Sequence, residues 1–300
     1  MLPRMAQAAA APTGYRPYLS GLRSPVIAPL TRFLIGVPLV FLTTRTDRFF
    51  AWTIVPPMTA AFLGANYFSS ALLAILSARE TLWANGRIAV SVSLAFAPLT
   101  TAATLLHLSL FHLGTFFGWF WIVAYCLYPA QLIFFTSKQL KVKGADPPRV
   151  SRLPIWVKVI LGLHAVVMIP LGIALFVAPT SVGSVWPWTL TALTGQVIAA
   201  WVLAFGVLAA HAIYENDFAR TRPAMLGYPF LGAMHVFMLA RFSDDVRWES
   251  PSAWVYVAFV ASSFVLGFFG FMMDANARSR AAATKPIRRN PPQGARDAAG

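Results

Sequence analysis

The chain has 300 residues, of which 58% are hydrophobic and only 11% charged, with a mean hydropathy of +0.64. Ordinary water-soluble domains carry roughly 25% charged residues, so this chain has too little charge to cover a surface facing water, and that surface must face lipid. Its 24 Lys and Arg against 10 Asp and Glu give a formal charge of +14, which in a membrane protein reads as topology and not as a nucleic-acid surface.

Residues 1–25 read as a cytosolic tail, because no continuous apolar run precedes Arg23 to make a signal peptide. A membrane-crossing helix needs roughly 20 mostly apolar residues. Eight stretches qualify, at about 26–43, 57–78, 88–110, 116–137, 154–177, 190–213, 223–241 and 252–274. Arg32 lies inside the first, and the seventh, Pro223 to Arg241, is short. Residues 138–153 form the longest polar connection and divide the chain into halves at 26–137 and 154–274. Residues 275–300 are basic and Pro-containing with little to bury, so a disordered tail is expected. Near an anionic leaflet each of its basic residues would contribute about 1 kcal/mol of attraction. The single cysteine, Cys126, excludes an intramolecular disulfide, a CxxC centre and a multi-Cys metal site.

With eight spans, 18 of the 24 Lys and Arg fall on one side. Only Arg45, Arg48, Arg241 and Arg247 fall on the other, and Arg32 and Lys158 lie within spans. The positive-inside rule then puts both termini in the cytoplasm. Most tryptophans, among them Trp52, Trp119, Trp121, Trp186, Trp188, Trp248 and Trp254, fall at the outer span ends, where amphipathic rings favour the headgroup layer. Trp201 is mid-span.

The halves also match each other. At an offset of 135, Thr59 falls on Thr194, Glu80 on Glu215 and Arg87 on Arg222; at 132, Arg32 falls on His164 and Pro38 on Pro170. Each half would be a four-helix unit, and because four is even the two run parallel. Gly64 and its small neighbours in the second span, and Gly195, Ala199 and Gly206 in the sixth, suit close helix packing. The symmetry suggests that these two spans face each other.

Few residues suggest chemistry. Glu80 and Glu215 each end a span and precede Arg87 or Arg222 by seven residues. One reading is a salt bridge pinning each turn; the other is a carboxylate guarding a cavity mouth. Arg32 either snorkels to the interface or joins a polar site. His164 and His235 reach similar depth, which allows a haem-ligating pair as well as ordinary interhelical hydrogen bonds. His211, one turn before Glu215, could hydrogen-bond it. Asn66, Gln131 and Gln196 suit helix-to-helix hydrogen bonding. Asp244, Asp245 and Glu249 with Arg241 and Arg247 suggest a salt-bridged outer loop. No nucleotide-binding, metalloprotease or hydrolase motif occurs, and no catalytic set or metal site is expected.

Residues 174–217, ALFVAPTSVGSVWPWTLTALTGQVIAAWVLAFGVLAAHAIYEND, carry Trp188-x-x-Thr191, then small residues from Gly195 to Gly206, then an acidic, aromatic turn from Glu215 to Phe218. This pattern resembles a group of uncharacterised bacterial integral membrane proteins, and more distantly the four-helix unit is similar to DoxX-like proteins. The resemblance implies a bacterial plasma-membrane location and a quinone-linked or respiratory context, with no site residue carried over. The expectation is therefore an all-α polytopic bundle of eight spans in two parallel four-helix repeats. Its leading function is a non-enzymatic binding or assembly module for a lipid-soluble ligand or a membrane partner. A small-solute transporter lined by Asn66, Gln196, Arg32, His164 and the Glu80 and Glu215 pairs is the alternative, and a haem protein using His164 and His235 the third.

Overall fold

The computed structural model describes residues 14–23 and 27–283. Among them the chain is helical, and its only β pairing is three isolated bridges. A short helix α1 (Ile27–Phe41) leads through a one-turn helix α2 (Thr46–Phe49) to three long helices, α3 (Pro57–Ala78), α4 (Trp83–Leu106) and α5 (Phe116–Leu140). After the polar connection come α6 (Ile155–Val177), a short α7 (Pro179–Gly183), α8 (Ala192–Glu215), α9 (Phe218–Arg241) and α10 (Pro251–Ala283). Seven of these helices are long and apolar enough to cross a membrane, and the molecule is a multi-pass helical bundle.

Local chemistry sets the boundaries. Pro57 opens α3 where its missing N–H has no intrahelical partner to lose. Thr191 and Thr194 bond reciprocally at the start of α8, each hydroxyl accepting from the other's backbone N–H, which satisfies two otherwise unpaired donors. Asn216 ends α8 in the left-handed region, with φ of 44°, and Asp217 at once caps α9 by accepting from the Ala219 N–H. That two-residue corner holds the ends of α8 and α9 tightly together.

Several expectations are corrected. The first span is a helix of 15 residues, about 22 Å long at 1.5 Å per residue, short of a hydrocarbon core of roughly 30 Å. The helix α4 begins at Trp83 and not near 88, and α9 begins at Phe218, where Asp217 caps it, and not at Pro223, which lies inside the helix. Residues 275–283 continue α10 and are not a free tail, while 284–300 lie outside the described residues. At the other end, residues 15–19 are not a free tail either. The Arg16 N–H bonds the Ala145 carbonyl, the Tyr18 N–H bonds Thr81, and the Gln139 amide brackets Pro17 and Leu19. Residues 1–13 and 24–26 lie outside the described residues.

Four helices, α3, α4, α8 and α9, form the centre. Within it α4 packs along α8, α3 along α9, and α4 also meets α9. Around it α1 packs on α3, α5 on α4, α6 on α8 and α10 on α9. The window of α8 is 67% buried and that of α6 only 22%, so α8 is interior and α6 faces lipid. The small residues of α3 and α8 do not face each other, since those two helices barely touch. Gly64 instead seats against Leu39 and Val40 of α1, and Gly206 against Met168 and Ile169 of α6. Small residues thus set the closest approach between α1 and α3 and between α6 and α8, where lipid supplies no hydrophobic drive for association.

One end of the bundle collects Glu80, Arg87, Asp146, Glu215, Arg220, Arg222 and Asp274; we call it the charged end. The opposite end collects tryptophan. Trp52, Trp121 and Trp188 are at most 2% exposed, so they are packing residues and not the expected interfacial belt. Their rings pack edge-on or tilted against Phe50, Phe62 and Phe111, and the indoles of Trp121 and Trp188 donate to Thr104 and Thr59. Trp119 and Trp254, 55% and 61% exposed, do face the surroundings. The outer loop holds no expected salt bridge among the described residues. Arg241 donates to the Val40 carbonyl, Arg247 to those of Ser184 and Trp186, and Asp245 accepts from the Met58 N–H.

A Cβ on Gly172 would stand 2.7 Å from the Leu203 backbone nitrogen, and one on Gly206 2.9 Å from that of Ile169, whereas nothing lies within 4 Å of one on Gly227. Gly172→Ala and Gly206→Ala should each cost about 1–3 kcal/mol through overpacking. Gly227→Ala should be neutral or stabilising by roughly 0.5–1 kcal/mol. Thermal unfolding of the three variants in detergent checks this; equal shifts in all three would refute the packing.

Candidate functional site

At the charged end the expected local salt bridges are replaced by crossed ones. Arg87 does not pair with Glu80 but forms a two-pronged contact with Glu215, through Nε to Oε1 and Nη2 to Oε2 (2.8 Å). Arg222 does not pair with Glu215 but reaches Glu80 at 3.4 Å and Asp274 at 2.5 Å. The reason lies in the packing: α4 lies along α8 and α3 along α9, so the arginine of each corner meets the glutamate of the other.

The two crossed sites differ in depth. The Glu215 side chain is fully buried and also accepts from Arg220 (2.9 Å) and lies 3.0 Å from His211 Nε2. Asp146, from the connection between the halves, takes Arg87 at 2.7 Å and approaches Arg220 at 3.7 Å. Two guanidinium groups are thus balanced by two carboxylates in a poorly solvated corner. Glu80 is shallower and has one distant guanidinium plus the Asn85 amide at 3.3 Å. Burial holds the Glu80 carboxyl above its ordinary range, and the opposing pull of Asn85 and Arg222 does not cancel it.

Deeper between the halves is a cavity of about 40 Å³ walled by α3, α4, α8 and α9. Asn66, Trp201, Tyr228 and Gly227 are among its lining residues. The Asn66 Nδ2, Trp201 Nε1 and Tyr228 hydroxyl are all buried and have no hydrogen-bond partner in the protein. Asn66 spends its oxygen on His235 Nε2 at 3.1 Å, which ties α3 to α9. No charged residue lines the cavity. From its edge at Leu208 to Glu215 is seven residues, about 10 Å along the helix.

The remaining candidates are dispersed. Gln196 bonds His107 (2.9 Å) and the Phe176 carbonyl, so it is a helix-to-helix contact at the tryptophan end. Gln131 is exposed on α5 and has no hydrogen-bond partner among the described residues, contrary to expectation. Arg32 donates to the Tyr128 hydroxyl at 2.6 Å and lies over that ring, so it is held within the bundle and does not simply snorkel. His164 bonds Ser262 at 2.7 Å. His235 has both nitrogens engaged, by Tyr256 and Asn66, and Phe259 packs against both imidazoles, at 5.1 Å and 6.5 Å. These two histidines do not fit an axial haem pair. Among the described residues, no group of three or more His, Cys, Asp and Glu is placed to hold a metal ion.

Sequence reasoning missed Asp146, Arg220, Trp201, Tyr228 and Gly227. Asp146 sat in a segment read only as a connection, and Trp201 and Tyr228 look like any aromatic in an apolar span. The one available signal was Trp201, the tryptophan placed mid-span.

Removing the Glu215 charge leaves two guanidiniums underpaired, so Glu215→Gln should cost about 3–5 kcal/mol. The Arg87→Gln/Glu215→Gln pair should lose less than the sum of its singles. Glu80→Gln should behave differently. A raised folded-state pKa contributes stability that is present at acidic pH and lost as pH rises through it, so Glu80→Gln should gain on the parent as pH rises above the ordinary carboxylate range. Unfolding midpoints in detergent between pH 4 and 8 check both; equal losses at the two glutamates, or strict additivity, would count against the crossed ion pairs. No family model matches the chain, and neither a curated protein nor a solved structure matches it.

Proposed function

We propose that this is a non-enzymatic integral membrane protein that holds a small, neutral, membrane-permeable ligand between two parallel four-helix units. The observation that carries the reading is the convergence of three unpartnered buried donors, on Asn66, Trp201 and Tyr228, around one cavity. Each unpaired buried polar group costs about 1–3 kcal/mol, so three in one place call for an occupant rich in acceptor oxygens. The lack of lining charge selects against ions. The volume admits a carbonyl- or hydroxyl-bearing group a few atoms in size and not a quinone ring.

The units are α1 with α3–α5, and α6 with α8–α10, which makes eight crossings with α1 as a short one. Matching positions support this: the crossed Arg87–Glu215 and Arg222–Glu80 contacts, and the first helix of each unit reaching its fourth through Arg32–Tyr128 and His164–Ser262. The 18 Lys and Arg that fall on the side of the charged end, against four on the other, support both termini being cytoplasmic, and the sequence resemblance supports a bacterial plasma membrane.

Transport of a small solute is the second reading. It is favoured by one arrangement: the cavity lies between two seals that join the halves, the ion pairs on one side and the Trp188–Thr59 contact with its aromatic neighbours on the other.

Gly227→Leu fills the cavity from its open side. Solvent extraction and mass spectrometry should recover a small molecule from the parent protein and not from Gly227→Leu or Asn66→Ala. A density map holding only water in the cavity would overturn the binding reading. In proteoliposomes, glycerol or urea permeation above that of empty vesicles, and faster still in Glu80→Gln/Glu215→Gln, would favour transport. Cysteines introduced at Asp47 and Lys285 in a Cys126→Ser background should label from opposite sides; labelling from one side would refute the topology.

A further inference from the structure

A second recess lies at the charged end, away from the central cavity. It has a volume of about 520 Å³, with α4 as its floor at Trp83 and Arg87. Leu140 at the end of α5 forms one wall, and Val207 and Tyr214 of α8 the other, with Arg16 reaching in from the N-terminal segment. That volume falls in the range of sites for small ligands.

The charges around it are unequal in availability. All three Arg87 nitrogens are engaged, by Glu215 and Asp146. Both His211 nitrogens are engaged, by Ser91 and Glu215. Arg16 pairs with no carboxylate among the described residues, and its Nε is buried without a partner. Among the described residues the uncompensated charge at the recess is therefore a guanidinium, whose planar fork suits phosphate oxygens. The walls are apolar or aromatic. Leu140 and Tyr214 are 63% and 71% exposed, and Tyr214 lies at a helix end, where an exposed amphipathic ring meets the headgroup layer. An anion that enters here meets aliphatic and aromatic side chains on either side of the arginine.

We propose that this recess binds the phosphate head of an anionic membrane lipid, with Arg16 as its charge partner and the face of α8 from Val207 to Tyr214 as the bed for the start of its chain. The Arg16 backbone holds its segment through the bonds to Ala145 and Trp83, so side-chain changes at Arg16 leave that anchorage in place.

Native mass spectrometry of the full chain, titrated with phosphatidylglycerol, phosphatidylcholine or glycerol 3-phosphate, tests this. Phosphatidylglycerol should bind more tightly than phosphatidylcholine, and glycerol 3-phosphate should not displace it at equal concentration. Arg16→Gln should weaken phosphatidylglycerol roughly tenfold, as expected for loss of a charge-assisted hydrogen bond, and Arg16→Lys should weaken it less, since it keeps the charge but not the planar fork. Val207→Trp, which fills the recess, should weaken it whether or not Arg16→Gln folds. Arg48→Gln, at the opposite end with its side chain 72% exposed, should change nothing. Phosphatidylglycerol binding unchanged in Val207→Trp, or equal binding of the two lipids, would overturn the site. Glycerol 3-phosphate binding as tightly as phosphatidylglycerol would overturn the lipid and leave a soluble phosphate ester as the ligand.

Discussion

A carboxylate with no solvent exposure, at the end of an apolar helix, is stable only where cations are brought to it. Glu215 is that group, and its partners come from three separate parts of the chain: Arg87 from α4, Arg220 from α9 and His211 from its own helix. Asp146, from the connection, completes the charge balance. The ion cluster therefore acts as a clamp on the ends of three central helices and the segment between the halves. In a bilayer, where helix association gains nothing from excluding water, such polar contacts and close small-residue packing carry the specificity. Ion pairs that span the two halves also fix their relative register in a way that apolar faces alone do not.

Seven of the eight expected spans coincide with long apolar helices; they were legible because roughly 20 apolar residues in a row have few other uses. The pairing of charges was not. A seven-residue spacing across a short turn suggests that Glu80 and Arg87 meet, and nothing local opposes it. What decides the matter is which helix lies beside α4, a long-range fact. Small residues line α3 and α8 on several faces, so composition did not say which face meets which neighbour. The outcome, α1 on α3 and α6 on α8, follows from where a backbone approach leaves no room for a Cβ, as at Gly172 and Gly206.

Tryptophan shows the same limit. Rings near span ends satisfy the rule for interfacial anchors, yet Trp52, Trp121 and Trp188 are buried. Their indole N–H groups distinguish the roles only when a partner such as Thr59 or Thr104 is known. A ring between two helices and a ring in the headgroup layer occupy the same depth, and depth is all that a span map gives.

The central cavity adds a different kind of evidence. Under the proposed duplication, residues related by an offset of 135 sit at equivalent places. Glu80 and Glu215 are identical, as are Arg87 and Arg222, which is what a shared structural task requires of both copies. Asn66 and Trp201 are also related by that offset, yet they differ, and both line the cavity. Tyr228 likewise answers to Ser93, which lies 3.4 Å from Arg32 Nη2. Under that duplication the rim charges are the same in both copies and the polar groups at the cavity are not, so the ion pairs are a task the two units share, while each unpartnered donor at the cavity belongs to one unit alone.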